Sequence, residues 1–242
     1  MSDHSIAEHI KRDVVLANRI MARENVIDDF GHISLRHPEN PKRYFLARSR
    51  SPELVTLDDI MEFTLEGEPI DQRGRPMYSE RAIHGCIFMA RPDVNAVSHF
   101  HARSVLPFTV ADEPLKPLFH MAAVIGESVP VWDSQPEFGD TDMLINTLPM
   151  GHSLAKTLGQ GRVALNRGHG AVAVGENIRN LVMTSVYLKE NAELALQARS
   201  FGKPLYYLTP GEVQKTGAML RTPIATDRAW DYYVARAGFR GM

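Results

Sequence analysis

Between Asn177 and Ser200 the chain carries neither proline nor glycine, and its apolar residues Leu181, Val182, Val186, Leu188, Leu194 and Leu196 recur at helical steps. A helix of that length gains most of its stability by laying one face on an apolar partner, so the rest of the sequence must supply a layer beneath it. A second amphipathic stretch, Ile6 to Ile27, repeats Ile10, Val14, Leu16 and Ile20 between charges and reads as another helix on a sheet face. Short strand-length runs supply the sheet. They are Asp29 to Arg36 around Gly31, Tyr44-Phe45-Leu46-Ala47 after a Pro38-Glu39-Asn40-Pro41 turn, and Ile60 to Leu65 before Glu66-Gly67-Glu68-Pro69. Val94 to Phe100, Val163 to Leu165 and Ala171 to Val174 follow.

Ser79 stands where it can cap a helix through Ile83, Cys86, Ile87 and Met89, with Glu80 in its first turn and Arg91-Pro92-Asp93 at its end. Further helices are expected over Ala102 to Val110 and Pro149 to Leu158. With 242 residues, the expectation is one domain spanning 1–242, closed by an arm from Thr209 to Met242. Trp230, Tyr232 and Tyr233 suit that arm to covering a neighbouring subunit; the alternative is a frayed tail.

A net charge of −2 with both signs interspersed, and no block of lysine or arginine, argues against nucleic acid or a membrane surface as partner and for a small molecule. The lone Cys86 lies in an apolar helical run without a disulfide partner, and the N-terminus carries no apolar targeting segment, so a reducing cytoplasm is expected.

The chemistry concentrates at Ser98-His99-Phe100-His101, where two histidines two residues apart project from one face of a strand and can share a cation. Such a pair also arises by chance, so a third ligand is needed. His169 is the candidate, because Gly168 and Gly170 let the backbone bend sharply around it. Three neutral imidazoles leave an ion with open positions and suit zinc, manganese or iron. Glu80 completes the set as fourth ligand and proton carrier, although Ser79 and Glu80 also make a plain helix cap. His120 and His152 have no neighbourhood that asks for a ligand.

Ser79-Glu80 with His84, then Val97-Ser98-His99-Phe100-His101, then Asn166-Arg167-Gly168-His169-Gly170 resemble, in order and spacing, the class II aldolase/adducin family from about residue 10 to about residue 205. The resemblance implies a three-layer α/β/α sandwich around a mostly antiparallel sheet. It also implies a divalent metal on the three histidines, manganese first and zinc or iron next, and Glu80 as acid/base. A homo-oligomer, tetramer or larger, with active sites at subunit interfaces is implied too.

The departures narrow the substrate. Where relatives acting on sugar phosphates carry hydroxyl and glycine residues around phosphate, this chain has Arg48-Ser49-Arg50-Ser51-Pro52 and Tyr78-Ser79, and Gly31-His32-Ile33-Ser34 replaces a Gly-Asn segment. Arg48 or Arg50, with Ser79, could hold a carboxylate instead, unless that loop is merely charged surface. Within the family the chain is similar to decarboxylases of hydroxylated aromatic diacids. The expected substrate is thus an ortho-hydroxy aromatic or pyridine dicarboxylate, first 3-hydroxy-2-methylpyridine-4,5-dicarboxylate of vitamin B6 degradation. Glu80 would protonate the ring, with His32, His84 or a tyrosine of the arm as helpers. The alternatives are an aldolase or epimerase of a non-phosphorylated hydroxy-keto acid, an adducin-like binding module without catalysis, and an iron-dependent oxygenase.

Overall fold

A computed structural model describes residues 3–238; residues 1–2 and 239–242, the ends of the expected single domain and arm, lie outside the described residues. Seven strands form one sheet: β1 (His32–Arg36), β2 (Arg43–Ala47), β3 (Ile60–Thr64), β4 (Ala96–Phe100), β5 (Val131–Trp132), β6 (Val163–Asn166) and β7 (Gly170–Gly175). Their order is β3-β2-β1-β4-β7-β6-β5, and every neighbouring pair is antiparallel except β5 with β6.

Side chains alternate across this sheet and define its two faces. Ser98 meets Ser185 of the long helix α6 (Ile178–Arg199), Oγ to Oγ at 3.1 Å, so the neighbouring His99 points to the opposite face. His32, paired in register with His99, points the same way and meets His84 of α2 (Arg81–Ala90). That face is covered by α2 packed against α5 (Leu148–Leu158), the other by α1 (Asp3–Arg23) and α6, with α8 (Pro223–Arg236) packed on these two helices. The result is the expected three-layer α/β/α sandwich. Its core includes Ile20, Ile33, Phe63, Phe88, Phe100 and Leu181.

Several expectations shift for physical reasons. The first helix starts at Asp3 and stops at Arg23 instead of reaching Ile27, because Asn25 turns into the left-handed region at φ 55°. The helix expected over Ala102 to Val110 shrinks to α3 (Pro107–Val110), since Pro107 has no N–H and serves only as a helix start. In α6 the core face is carried by Leu181, Val182, Val186, Leu188, Ala192 and Ala195; Leu194 and Leu196 are partly exposed. Asn177 caps this helix by accepting the Asn180 N–H at 2.9 Å.

The segment after Thr209 folds as α7 (Pro210–Leu220) and α8, preceded in the chain by the single turn α4 (Gln135–Phe138) and by α5. Thr209 and Glu212 form a reciprocal capping box at the start of α7. Trp230 and Tyr233 are buried against their own chain, whereas Tyr232 is exposed. The frayed-tail alternative does not hold for the residues described. No helix among the described residues is long and apolar enough to cross a membrane.

Candidate active site

β4 ends at Phe100, which puts His99 on its last turn of pleat and His101 just past it, on the same face. The Nδ1 of His99 donates to the Ala171 carbonyl at 3.2 Å, and the Nδ1 of His101 donates to both carboxylate oxygens of Asp28 at 3.0 Å. Both partners only accept, so each ring carries a hydrogen on Nδ1, and in the neutral form each turns an Nε2 lone pair inward.

His169 arrives from the turn between β6 and β7, where its N–H donates to the Asn166 carbonyl at 3.0 Å. The flanking glycines are required. Gly168 sits at φ +63°, and a Cβ on Gly170 would lie 2.4 Å from the Phe100 carbonyl oxygen and 2.7 Å from Cδ2 of His101. The His169 ring centre is 4.9 Å from those of His99 and His101, and one ligand nitrogen from each of the three lies within 4.8 Å of the others.

The Nε2 atoms of His99 and His101 are 3.0 Å apart. Two inward lone pairs at that distance repel, whereas two nitrogens held at right angles by one ion at about 2.1 Å stand about 3.0 Å apart. The donor set therefore fits a divalent metal. Burial and the neighbouring imidazoles hold His99 well below its usual pKa, which keeps it in the neutral form a metal needs.

Glu80 corrects two readings. It occupies the N-cap position of α2 at φ −87° without capping, and Ser79, lying before it, does not cap the helix either. The Glu80 carboxylate turns instead into the site, where Oε1 accepts the Ile145 N–H at 2.9 Å and Oε2 lies 3.5 Å from Nε2 of His99 and 3.8 Å from Nε2 of His169. Burial raises its pKa against the opposing pull of the Ile145 hydrogen bond, so it holds a proton to higher pH than a surface glutamate.

His101, His169 and Glu80 line a cavity of about 740 Å³, together with Phe30, His32, Arg50, Tyr78, Ser79 and Leu144, and His99 lies buried behind them. That volume suits a small organic ligand. His32 is almost wholly buried, and its Nδ1 lies 2.7 Å from Nε2 of His84, whose Nδ1 lies 2.6 Å from Oγ of Ser34. Burial depresses both rings, His84 to about 3. His84 does not reach the cavity itself.

The two arginines separate. Arg48 is absent from the cavity lining; its Nε binds Oδ1 of the buried Asp59 at 2.5 Å. Arg50 does line the cavity, with Nε on the Leu54 carbonyl at 2.7 Å and 3.3 Å from Oδ2 of Asp59. Tyr78 clasps the same loop through a hydroxyl donated to the Arg50 carbonyl, and burial pushes its pKa up to about 12.

Residues 12–196 match the class II aldolase and adducin N-terminal domain. The chain belongs to that family. Within it, the chain is 30% identical to the decarboxylase tropJ of Talaromyces stipitatus across 96% of this chain and 95% of that one. It is 26% identical to the 3,4-dihydroxyphthalate decarboxylase of Arthrobacter keyseri, covering 92% of each. Among solved structures, an aldolase II superfamily protein from Pseudomonas syringae superposes with a TM-score of 0.80 at 19% identity, covering 97% of this chain and 94% of that one. The L-fuculose 1-phosphate aldolase of Glaciozyma antarctica gives 0.76 at 22%, covering 96% and 90%. The sequence resemblance is thereby borne out, and α7 and α8 of this family member lie beyond the matched segment.

Sequence reasoning missed Asp28, Ser34, Tyr78 and the Ile145 N–H. Asp28 reads as a turn former, and it does accept the Phe30 and Gly31 N–H groups at 3.2 and 3.1 Å. Burial would raise its carboxyl, but the His101 hydrogen bond and those two amides bring it below the usual range.

Proposed function

We propose that this chain is a divalent-metal-dependent decarboxylase acting on an ortho-hydroxy aromatic or pyridine dicarboxylate. The observation that carries the reading is the convergence of three imidazole nitrogens with a buried carboxyl, its pKa raised by burial, beside one cavity. The relatives named as decarboxylases, one of them for 3,4-dihydroxyphthalate, support the reaction class and a hydroxylated ring diacid. Both 3,4-dihydroxyphthalate and the vitamin B6 degradation product 3-hydroxy-2-methylpyridine-4,5-dicarboxylate fit this description.

His99, His101 and His169 would hold the metal, with Glu80 beside them; manganese is the first candidate, then zinc or iron. When bound, a divalent ion supplies Lewis-acid polarisation of a substrate oxygen. The protein does the rest. Asp28 and the Ala171 carbonyl fix the tautomers of two ligands. Arg50 and Ser79 face the cavity as partners for a carboxylate, and Tyr78 and Phe30 give the ring an aromatic wall. Decarboxylation breaks the bond from ring carbon to carboxylate, leaves the electron pair on the ring and needs a proton at the same carbon. Glu80 supplies that proton and regains one from solvent. His32, backed by His84, is the second hydrogen-bonding group at the cavity.

The reading takes the working enzyme to be a cytoplasmic homo-oligomer of four or more chains with sites at interfaces. Phe30, on the cavity wall yet largely exposed, supports a neighbour there. The test is carbon dioxide release by protein of measured metal content from the two diacids and their mono-acid analogues, with and without chelator. Metal-loaded protein that releases none from any ortho-hydroxy diacid overturns the reading, and aldol products from a hydroxy-keto acid replace it with the aldolase alternative.

A further inference from the structure

One hydrogen-bonded chain leads from the interior to the cavity: Ser34, His84, His32. Ser34 and His84 are wholly inaccessible to solvent, and His32 is nearly so. Among the described residues the one partner of the Ser34 hydroxyl is Nδ1 of His84, at 2.6 Å. A serine hydroxyl has one proton to place, and burying it without an acceptor costs about 1–3 kcal/mol. The hydroxyl therefore donates to Nδ1 of His84. A neutral His84 then carries its own hydrogen on Nε2 and donates it to Nδ1 of His32 at 2.7 Å. A neutral His32, accepting at Nδ1, must carry its hydrogen on Nε2, the one nitrogen left to face the cavity that this ring lines.

We infer that Ser34 and His84 set the tautomer of His32, making it an uncharged hydrogen-bond donor aimed at an anionic oxygen of the substrate. The direction of three hydrogen bonds follows from one serine. Were Ser34 a group that only accepts, the same two imidazoles would run the other way and His32 would offer the cavity a lone pair, which repels an anion. A neutral imidazole donor stabilises negative charge on oxygen without carrying a proton away, so it complements Glu80, which must release one. His32 touches substrate in this scheme; His84 and Ser34 are positioning residues. Tyr78, its ring centre 4.6 Å from that of His32, and His99, at 5.2 Å, pack against the imidazole.

The tautomer assignment stands independently of the decarboxylase reading; the identity of the acceptor rests on that reading. Nitrogen-15 NMR of histidine-labelled protein reads the tautomers directly in the resting wild-type enzyme. Neutral Nε2–H signals for both His32 and His84 are expected, with loss of that preference in Ser34→Ala; an Nδ1–H form of either ring in the wild type overturns the assignment, whatever the enzyme's reaction. Kinetics then test donation. His32→Phe should lower kcat/KM by about one to two powers of ten, and His32→Gln, whose amide N–H reaches the Nε2 position, should recover most of it. A loss in kcat marks the ring oxygen on which charge grows, and a loss confined to KM marks a carboxylate charged throughout. Wild-type kcat/KM in folded His32→Phe, or equal losses in the Phe and Gln variants, overturns donation.

Discussion

Replacing Gly170 with alanine probes how tightly the sheet and the histidine cluster are built into one another. The added methyl would stand 2.4 Å from the Phe100 carbonyl oxygen and 2.7 Å from Cδ2 of His101, so the strand must yield by about 0.6 Å merely to reach 3.0 Å. That oxygen cannot retreat cheaply, since β4 is hydrogen-bonded between β1 and β7, with Phe100 in register against Ala171. Overpacking of this kind costs about 1–3 kcal/mol. In a protein of this size that corresponds to a fall in melting temperature of about 2–12 °C. Two other glycines calibrate the scale. Gly168→Ala meets only the flexible end of Met143 at 3.1 Å but keeps φ +63°, for about 1–2 kcal/mol. Gly211→Ala, at an exposed position of α7, meets nothing within 4 Å and should be neutral or stabilising by up to about 1 kcal/mol. Calorimetry of the three variants in chelator gives the order. A Gly170→Ala protein melting within about a degree of wild type would refute the close approach of β7 to His101.

Glu80→Gln can keep the Ile145 N–H bond through its carbonyl oxygen but has no proton to give, so turnover should fall by at least about a hundredfold while metal content stays unchanged; wild-type turnover removes Glu80 from proton transfer. Asp28→Asn should weaken metal affinity about 10- to 100-fold in a chelator competition, because the carboxylate that orients and polarises His101 is lost; equal affinities would show that this pair is only a turn. His84 protonates near 6.5 in the unfolded chain but only at about 3 when folded, so the unfolded state binds the extra proton between those values and stability declines as pH drops through that window. Urea unfolding in chelator should show a slope that His84→Gln flattens by about 1.4 kcal/mol per pH unit, and an unchanged slope denies the ring's neutrality.

The helices and strands were legible where local chemistry spoke clearly. The long run from Asn177 to Ser200 folds as α6, and the Gly168-His169-Gly170 triplet proved to be a turn that admits a bulky ring. Local rules failed where two of them competed. Ser79 followed by Glu80 looks like a helix cap, yet the Glu80 side chain found a better partner in Ile145, 65 residues away. Pro107 cut short a helix that its apolar neighbours favoured. Arg48 and Arg50 are equivalent in sequence; in the folded loop both reach Asp59, and only Arg50 also stands on the cavity wall.

By itself the sequence determined which imidazoles are candidates to share a cation, their pairing across one strand face and the layers needed to cover a long helix, because side-chain periodicity and backbone freedom are local properties. Tertiary structure alone decided which hydrogen each imidazole carries and which carboxyl has its pKa raised. Those depend on the partner across the gap, Asp28 or Ala171 for the ligands and Ser34 through His84 for His32, and on the exclusion of water around Glu80. No spacing rule encodes such meetings, since they arise only when remote segments are packed face to face in a medium that makes an unpaired polar group costly.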